Sequence, residues 1–183
     1  MKIEINSRKK IEKQLKHLAQ HDLLTGLPNW RLFEELSCMA LIQAKRYEYE
    51  EAVLFLDVDG FKEINDSLGH KAGDELLKQI AARIKGSVRE ADIVARIGGD
   101  EFCIHLCSQS SVTDIKSISS KIISCISSPF MLELSEVKIG ISIGVARFPT
   151  DADNTESLLA QADKAMYKAK QSGKNRFRFY SLD

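Results

Sequence analysis

Residues 52–58, AVLFLDV, constrain this chain most. A continuous apolar run of this length, with β-branched and aromatic members, predicts a strand covered on both faces of a sheet. It ends in two carboxylates, Asp57 and Asp59, which alternation places on the same side of the chain. Carboxylates at the end of a buried strand are costly unless they are paired or bound to a cation.

The remaining elements follow from periodicity and punctuation. Ile11, Leu15 and Leu18 predict a helix over 7–20 with a narrow apolar stripe, read as the end of a longer helix that pairs with a copy of itself or another domain. HDLLTGLPNW at 21–30 is rich in turn and cap residues. Helices are expected at 30–48, 74–86, 112–127 and 155–171, and strands at 92–97, 101–107, 137–146 and 176–181. The Gly98-Gly99 pair supplies positive φ for a hairpin. From residue 52 the order is strand, helix, hairpin, helix, strand, helix, strand. That predicts an α/β (α+β) class with a split βαβ-plus-hairpin arrangement. One domain over 21–183 is expected, preceded by a helical lead-in over 1–20.

Charge and composition exclude several classes. The 26 basic and 26 acidic side chains cancel, which argues against a nucleic-acid-binding face but not against a small anionic ligand. No apolar run approaches the roughly 18–20 residues of a membrane span, and the charged start is unlike a signal peptide. Four cysteines without a CxxC pair fit a reducing, cytoplasmic setting. Cys103, His105 and Cys107 share one strand face, as a metal half-site or as small core residues. The core reading is preferred, since no further ligand lies near in sequence.

Asp100 and Glu101 follow the Gly-Gly pair directly. If the first strand lies beside this hairpin, Asp57 and Asp100 meet at one sheet edge. Converging carboxylates of that kind suit Mg²⁺ or Mn²⁺ with a phosphate.

The motifs extend this reading. RIGGDEF at 96–102 contains the GGDEF signature, and the chain resembles the GGDEF domain, the diguanylate cyclase family. HDLLTGLPN at 21–29, DVDGFKEINDSLGHKAGDELL at 57–77, SIGVA at 142–146 and ADKAMYKAKQSGKNR at 162–176 resemble its other motifs, in order. The resemblance implies a palm-like, ferredoxin-like, mostly antiparallel sheet with surrounding helices. It also implies condensation of two GTP into cyclic di-GMP across a homodimer, with release of two pyrophosphates.

By resemblance, Asp57, Asp100, Glu101 and the Val58 carbonyl are the metal-site groups, with Glu101 either a ligand or an activator of the 3′-hydroxyl. Asn65 and Asp74 are the guanine readers. One buried carboxylate accepts from guanine N1–H and N2–H₂ together, and adenine has no N1–H. For Asp74, a helix N-terminal acid favoured by the macrodipole is the plainer reading. Lys62, Lys170 and Lys174, amides near Gly60 and Phe61, and Gly98 and Gly99 are implied at the phosphates. Arg89 and Asp92 occupy the RxxD site that binds product and inhibits, or else form a helix-end pair worth little.

Two residues depart from the family pattern. Trp30 stands where Arg is usual, and is expected against the lead-in helix or a partner domain. Lys121 stands near where some members carry a second inhibitory Arg. The ending RFRFYSLD resembles the junction into an EAL phosphodiesterase domain. That makes a noncatalytic GTP- or cyclic di-GMP-binding regulatory module the alternative to a cyclase. Another nucleotide cyclase or polymerase relative is a third reading, which Asn65 and Asp74 oppose.

Overall fold

The computed structural model describes residues 18–108, 111–132 and 135–182. The helix expected over 7–20 falls mainly outside the described residues, and only 18–20 are seen, as helix. Helix α1 spans Trp30–Tyr47, capped by the Asn29 side chain accepting from Leu32 N. Strand β1 (Glu51–Asp59) follows, then α2 (Phe61–Leu68), α3 (His70–Lys85), β2 (Ile93–Gly98) and β3 (Glu101–Leu106). The chain continues through α4 (Val112–Ser127), β4 (Phe130–Leu132), β5 (Ser135–Val137), β6 (Gly140–Phe148), α5 (Thr155–Gln171) and β7 (Phe177–Phe179).

The main sheet has the order β2-β3-β1-β6-β7, so the apolar run at 52–58 is its central strand. β1 is antiparallel to β3 and β6, and only β6 and β7 run parallel. Alternation along these strands makes two cores. Leu54, Leu56, Ile104 and Ile143 face Leu76, Ile80 and Ile84 of α3 and Ile115 and Ile122 of α4. Val53, Cys103 and Ala146 face Phe33 and Leu41 of α1 and Leu158 and Ala162 of α5. Helices therefore cover both faces, which is why residues 52–58 are apolar without interruption.

Several elements differ from expectation. α2 was not foreseen, because it is only eight residues long, none of them is fully buried, and just Phe61 and Ile64 pack on the core. α3 begins at His70 rather than 74, where Gly69, at φ 84°, breaks it from α2. The strand expected over 137–146 is divided. β5 pairs with β4 in a separate two-stranded sheet, and β6 runs on to Phe148. In the β2–β3 hairpin only Gly99 takes positive φ, at 44°, while Gly98 ends β2. Trp30 stacks on Phe33, with ring centroids 6.5 Å apart, and stays 41% exposed.

Candidate active site at the carboxylate edge of the sheet

Antiparallel pairing sets Asp57 opposite Glu101 on one side and Ser142 on the other. Val58 N donates to the Asp100 carbonyl at 3.3 Å. Asp57, Val58, Asp100 and Glu101 thus come from two segments of sequence to one edge of the sheet, where the sequence motifs expected them.

The charges there are crowded. Burial pushes the Asp57 carboxyl above its ordinary range, and the Asp100 and Asp59 charges add to the rise, against the Lys170 ammonium. Glu101 is also raised, first by burial and then by Asp57, Asp100 and Asp163. Among the described residues the cation paired with Asp57 is Lys170, with Nζ 2.7 Å from Oδ1. Hard oxygen donors with excess negative charge fit a divalent cation such as Mg²⁺ or Mn²⁺. Lys170, expected at a phosphate, pairs with this carboxylate in the structure.

Two sets of contacts brace the edge, and Asp22, Arg96, Ser142 and Asn175, which take part in them, were not among the site residues read from sequence. Arg96 Nη1 meets both Asp22 oxygens at 3.0 and 3.1 Å, and its Nε and Nη2 donate to the Gly99 carbonyl at 2.9 and 2.6 Å. Asp22 also accepts from Thr25 N and Oγ1. Burial alone would raise the Asp22 carboxyl, but the Thr25 and Arg96 hydrogen bonds outweigh it and hold it below its ordinary range. The 21–29 motif is therefore a clamp on the turn that presents Asp100.

On the other side Asp59 accepts from Ser142 Oγ at 2.8 Å and from Asn175 N at 2.9 Å. Lys174 and Asn175 both hold positive φ, at 60° and 46°. Asn175 Oδ1 in turn accepts from Ile141 N at 3.3 Å. Asp59 thus ties the Lys174 loop to the sheet. Paired acidic and amide residues in the motifs signalled such roles only in hindsight, because the partners lie over 70 residues apart.

The base- and phosphate-reading candidates lie on α2 and α3. Gly60, the N-cap of α2, adopts φ 82° and offers no side-chain cap. The first α2 amides, from Phe61 and Lys62, are therefore free of a capping side chain, the usual arrangement for receiving an anion. Asn65 Oδ1 is buried and, among the described residues, has no hydrogen-bond partner. It lies against Gly73 of α3, where a Cβ would fall on Oδ1 and lie 3.0 Å from Cγ. Asp74 is exposed and lies past the first turn of α3, so the macrodipole explanation for it weakens. Lys62 and Lys174 are exposed, as are Gly98 and Gly99.

Arg89 and Asp92 lie beyond the other end of β2. Asp92 is 4% exposed and is used internally, accepting from Arg89 N at 2.8 Å and Cys107 N at 3.1 Å. Arg89 lines an open cavity of about 310 Å³ with Val88, Asp114, Ile118 and Lys121, whose ammonium donates to the Ser87 carbonyl.

The sequence matches the family described as diguanylate cyclase, GGDEF domain, over residues 19–176. Diguanylate cyclase TpbB of Pseudomonas aeruginosa is 45% identical over 170 residues, covering 92% of this chain and 39% of that protein. MucR of the same species, a bifunctional diguanylate cyclase/cyclic di-GMP phosphodiesterase, is 42% identical over 168 residues, covering 92% and 24%. The chain spans less than half the length of these curated relatives. The solved GGDEF domain of TpbB superposes with a TM-score of 0.86 at 45% identity, covering 88% of this chain and 95% of that one. The GGDEF domain of DgcB from Caulobacter crescentus, solved in complex with c-di-GMP, gives 0.80 at 26% identity, covering 88% and 96%. Agreement over nearly the whole chain, with the Gly98-Gly99-Asp100-Glu101 turn beside Asp57, makes this chain a member of the GGDEF-domain family of diguanylate cyclases.

Proposed function

We propose that the chain is one half-site of a metal-dependent diguanylate cyclase, binding one GTP and condensing it with a second GTP held by another copy. The observation that carries this reading is the convergence of Asp57, Asp100 and Glu101 at one sheet edge, with both Asp57 and Glu101 pushed up by burial and mutual repulsion. The names of the relatives, among them Diguanylate cyclase TpbB, point the same way.

Asp57, Asp100, Glu101 and the Val58 carbonyl are the groups that would hold Mg²⁺ or Mn²⁺. Such an ion polarises phosphoryl oxygens and lowers the pKa of an attacking hydroxyl. The chain's own residues bind and orient. The uncapped start of α2, with Phe61 and Lys62, receives the polyphosphate, and Lys174 adds charge from the loop held by Asp59. Asn65 and Asp74 read guanine, Asn65 with a carbonyl that lacks a hydrogen-bond partner among the described residues. Each 3′-hydroxyl attacks the α-phosphate of the other nucleotide. Two P–O bonds form, two break, and two pyrophosphates leave. Because one chain supplies one half-site, proximity and alignment of two copies form part of the mechanism.

Product is proposed to bind at Arg89, whose side chain faces a cavity it shares with Lys121. Asp92 serves there by closing the turn, its carboxylate being committed to two backbone amides.

The test is incubation with GTP and Mg²⁺ at high protein concentration, with cyclic di-GMP read by mass spectrometry. GTP binding without product would overturn the cyclase reading. It would favour a regulatory module, a role kept open by relatives such as Cyclic di-GMP phosphodiesterase NbdA, 37% identical over 167 residues.

A further inference from the structure

At the far end of the sheet from the carboxylate edge, a second group of metal-ligating side chains remains unused. The strand alternation that joined Cys103, His105 and Cys107 lacked a further ligand in sequence. The fold provides one from the neighbouring strand. Glu51 opens β1, one step beyond the Ala52–Leu106 pair, so it shares a face with His105 and stands beside Cys107.

We propose that Glu51, His105 and Cys107 form a second cation site, suited to a borderline-soft transition metal of zinc's class. One carboxylate oxygen, one ring nitrogen and one sulfur lie within 4.8 Å of one another. That mixed donor set fits zinc and not magnesium, which takes oxygen ligands. His105 Nε2 and Glu51 Oε2 are 2.9 Å apart. Two such ligands on a tetrahedral zinc, at bonds of about 2.0–2.1 Å, stand about 3.3 Å apart. The pair therefore opens by only a few tenths of an ångström to admit the ion. Cys107 lies just past the last residue of β3 and is half-buried, with its thiol donating to the His105 carbonyl at 3.7 Å.

His105 is wholly buried and meets Glu51 through Nε2, while among the described residues its Nδ1 has no hydrogen-bond partner. Glu51 is 3% exposed, and among the described residues its ion-pair partner is His105 alone. Its carboxylate already meets His105 Nε2 and Ser108 N, and an ion at the site would take the place of the proton that Glu51 and His105 share.

An outer shell is in place as well. Ser108 N donates to Glu51 Oε1 at 2.9 Å, and Cys107 N to Asp92 Oδ1 at 3.1 Å, which fixes two of the ligands from behind. Binding forms an S–metal bond and releases the Cys107 thiol proton to solvent, with no change of oxidation state. A water completes the fourth position.

The experiment titrates chelator-stripped protein with Co²⁺ as a spectroscopic probe, in excess Mg²⁺ to occupy the carboxylate edge, and repeats it with Zn²⁺ while following Tm. The expected result is one equivalent of Co²⁺ with a sulfur-to-cobalt charge-transfer band, and a Zn²⁺-dependent rise in Tm. Cys107→Ser should remove the band and weaken binding by at least about tenfold. Cys38→Ser, at an exposed thiol elsewhere, should change neither. Absence of saturable Co²⁺ binding to the wild-type protein overturns the site, as does a band that survives Cys107→Ser. His105→Gln is a further check. If it fails to fold, the half-buried Cys107→Ser variant still decides.

Discussion

Gly144→Ala tests how closely α5 rides on the sheet, and through that how the site is assembled. Gly144 lies in β6 between Phe55 of β1 and Arg178 of β7. A Cβ there would fall on the Ala162 carbonyl oxygen and the Met166 amide nitrogen, and lie 2.9 Å from the Ala165 carbonyl carbon. All three are backbone atoms of one helix, so no rotamer change relieves the overlap. α5 must lift until the contact reaches an ordinary van der Waals distance. Overpacking of a rigid interior costs about 1–3 kcal/mol, and backbone on both sides puts this site at the upper end. For a domain of this size about 3 kcal/mol lowers Tm by roughly 6–12 °C. The same displacement carries Lys170 away from Asp57, now 2.7 Å from it, so turnover should fall together with stability. Urea unfolding and cyclic di-GMP formation are measured on one preparation. Gly86→Ala is the control, because a Cβ there meets nothing closer than 3.4 Å, and it should be neutral or stabilise by about 0.4–1 kcal/mol. A Gly144→Ala protein within about 0.5 kcal/mol of wild type, the ordinary surface range, would refute the packing argument.

Asp22→Asn should cost about 1–3 kcal/mol, the range for a hydrogen-bonded charge, and slow turnover by loosening the turn that Arg96 holds. Because the folded Asp22 carboxyl is depressed, its stabilisation is full above the unfolded carboxylate pKa and fades as pH falls through the folded one; urea midpoints between pH 3 and 6 should show this component in wild type and not in the variant. Asp57 and Glu101 are raised, so the folded state holds more protons there and their cost to stability grows as pH rises from the unfolded toward the folded pKa; Mg²⁺ should therefore raise Tm at pH 7 and do little at pH 4. Asp59→Ala should leave the fold intact and weaken GTP binding by about 5–150-fold, equivalent to about 1–3 kcal/mol, through the freed Lys174 loop, with guanosine binding unchanged by calorimetry. Arg89→Ala should lengthen the linear phase of product formation at unchanged stability, whereas Asp92→Ala should lower the urea midpoint, since it strands two backbone amides.

The elements that sequence patterning found are those with a large apolar face. The run at 52–58 is the central strand, and the stripes of α1, α4 and α5 are the faces that cover it. α2 escaped because it is only eight residues long and none of them is fully buried, and the β4–β5 hairpin escaped because three-residue strands leave too few alternations to read. The site divides in the same way. Asp57, Asp100 and Glu101 stand in contiguous motifs, and their meeting needed only that β1 lie beside β3. The partnerships of Arg96 with Asp22, of Asp59 with Asn175, and of Glu51 with His105 join residues 54 to 116 positions apart. No local pattern encodes such pairs, since each depends on the register chosen by strands that pair for apolar reasons.

That division explains why the family's motifs are scattered along the chain. Three of them converge on the end of β1, and each contributes a different kind of constraint. The opening motif fixes the turn from outside, through the ion pair of Asp22 with Arg96 and the grip of Arg96 on the Gly99 carbonyl. The closing motif brings a cation, Lys170, against Asp57 and a loop that Asp59 holds in left-handed conformation. The middle motif places Asn65 against Gly73, where the missing Cβ leaves room for an amide whose carbonyl oxygen has no hydrogen-bond partner among the described residues. The charged groups at this edge are thus set by backbone contacts and ion pairs rather than by apolar packing. Such an edge carries negative charge that Lys170 only partly offsets, and on the proposed function its energy would fall when a divalent cation and a nucleotide arrive together. Binding of either should strengthen binding of the other, since each relieves repulsion that the other also feels.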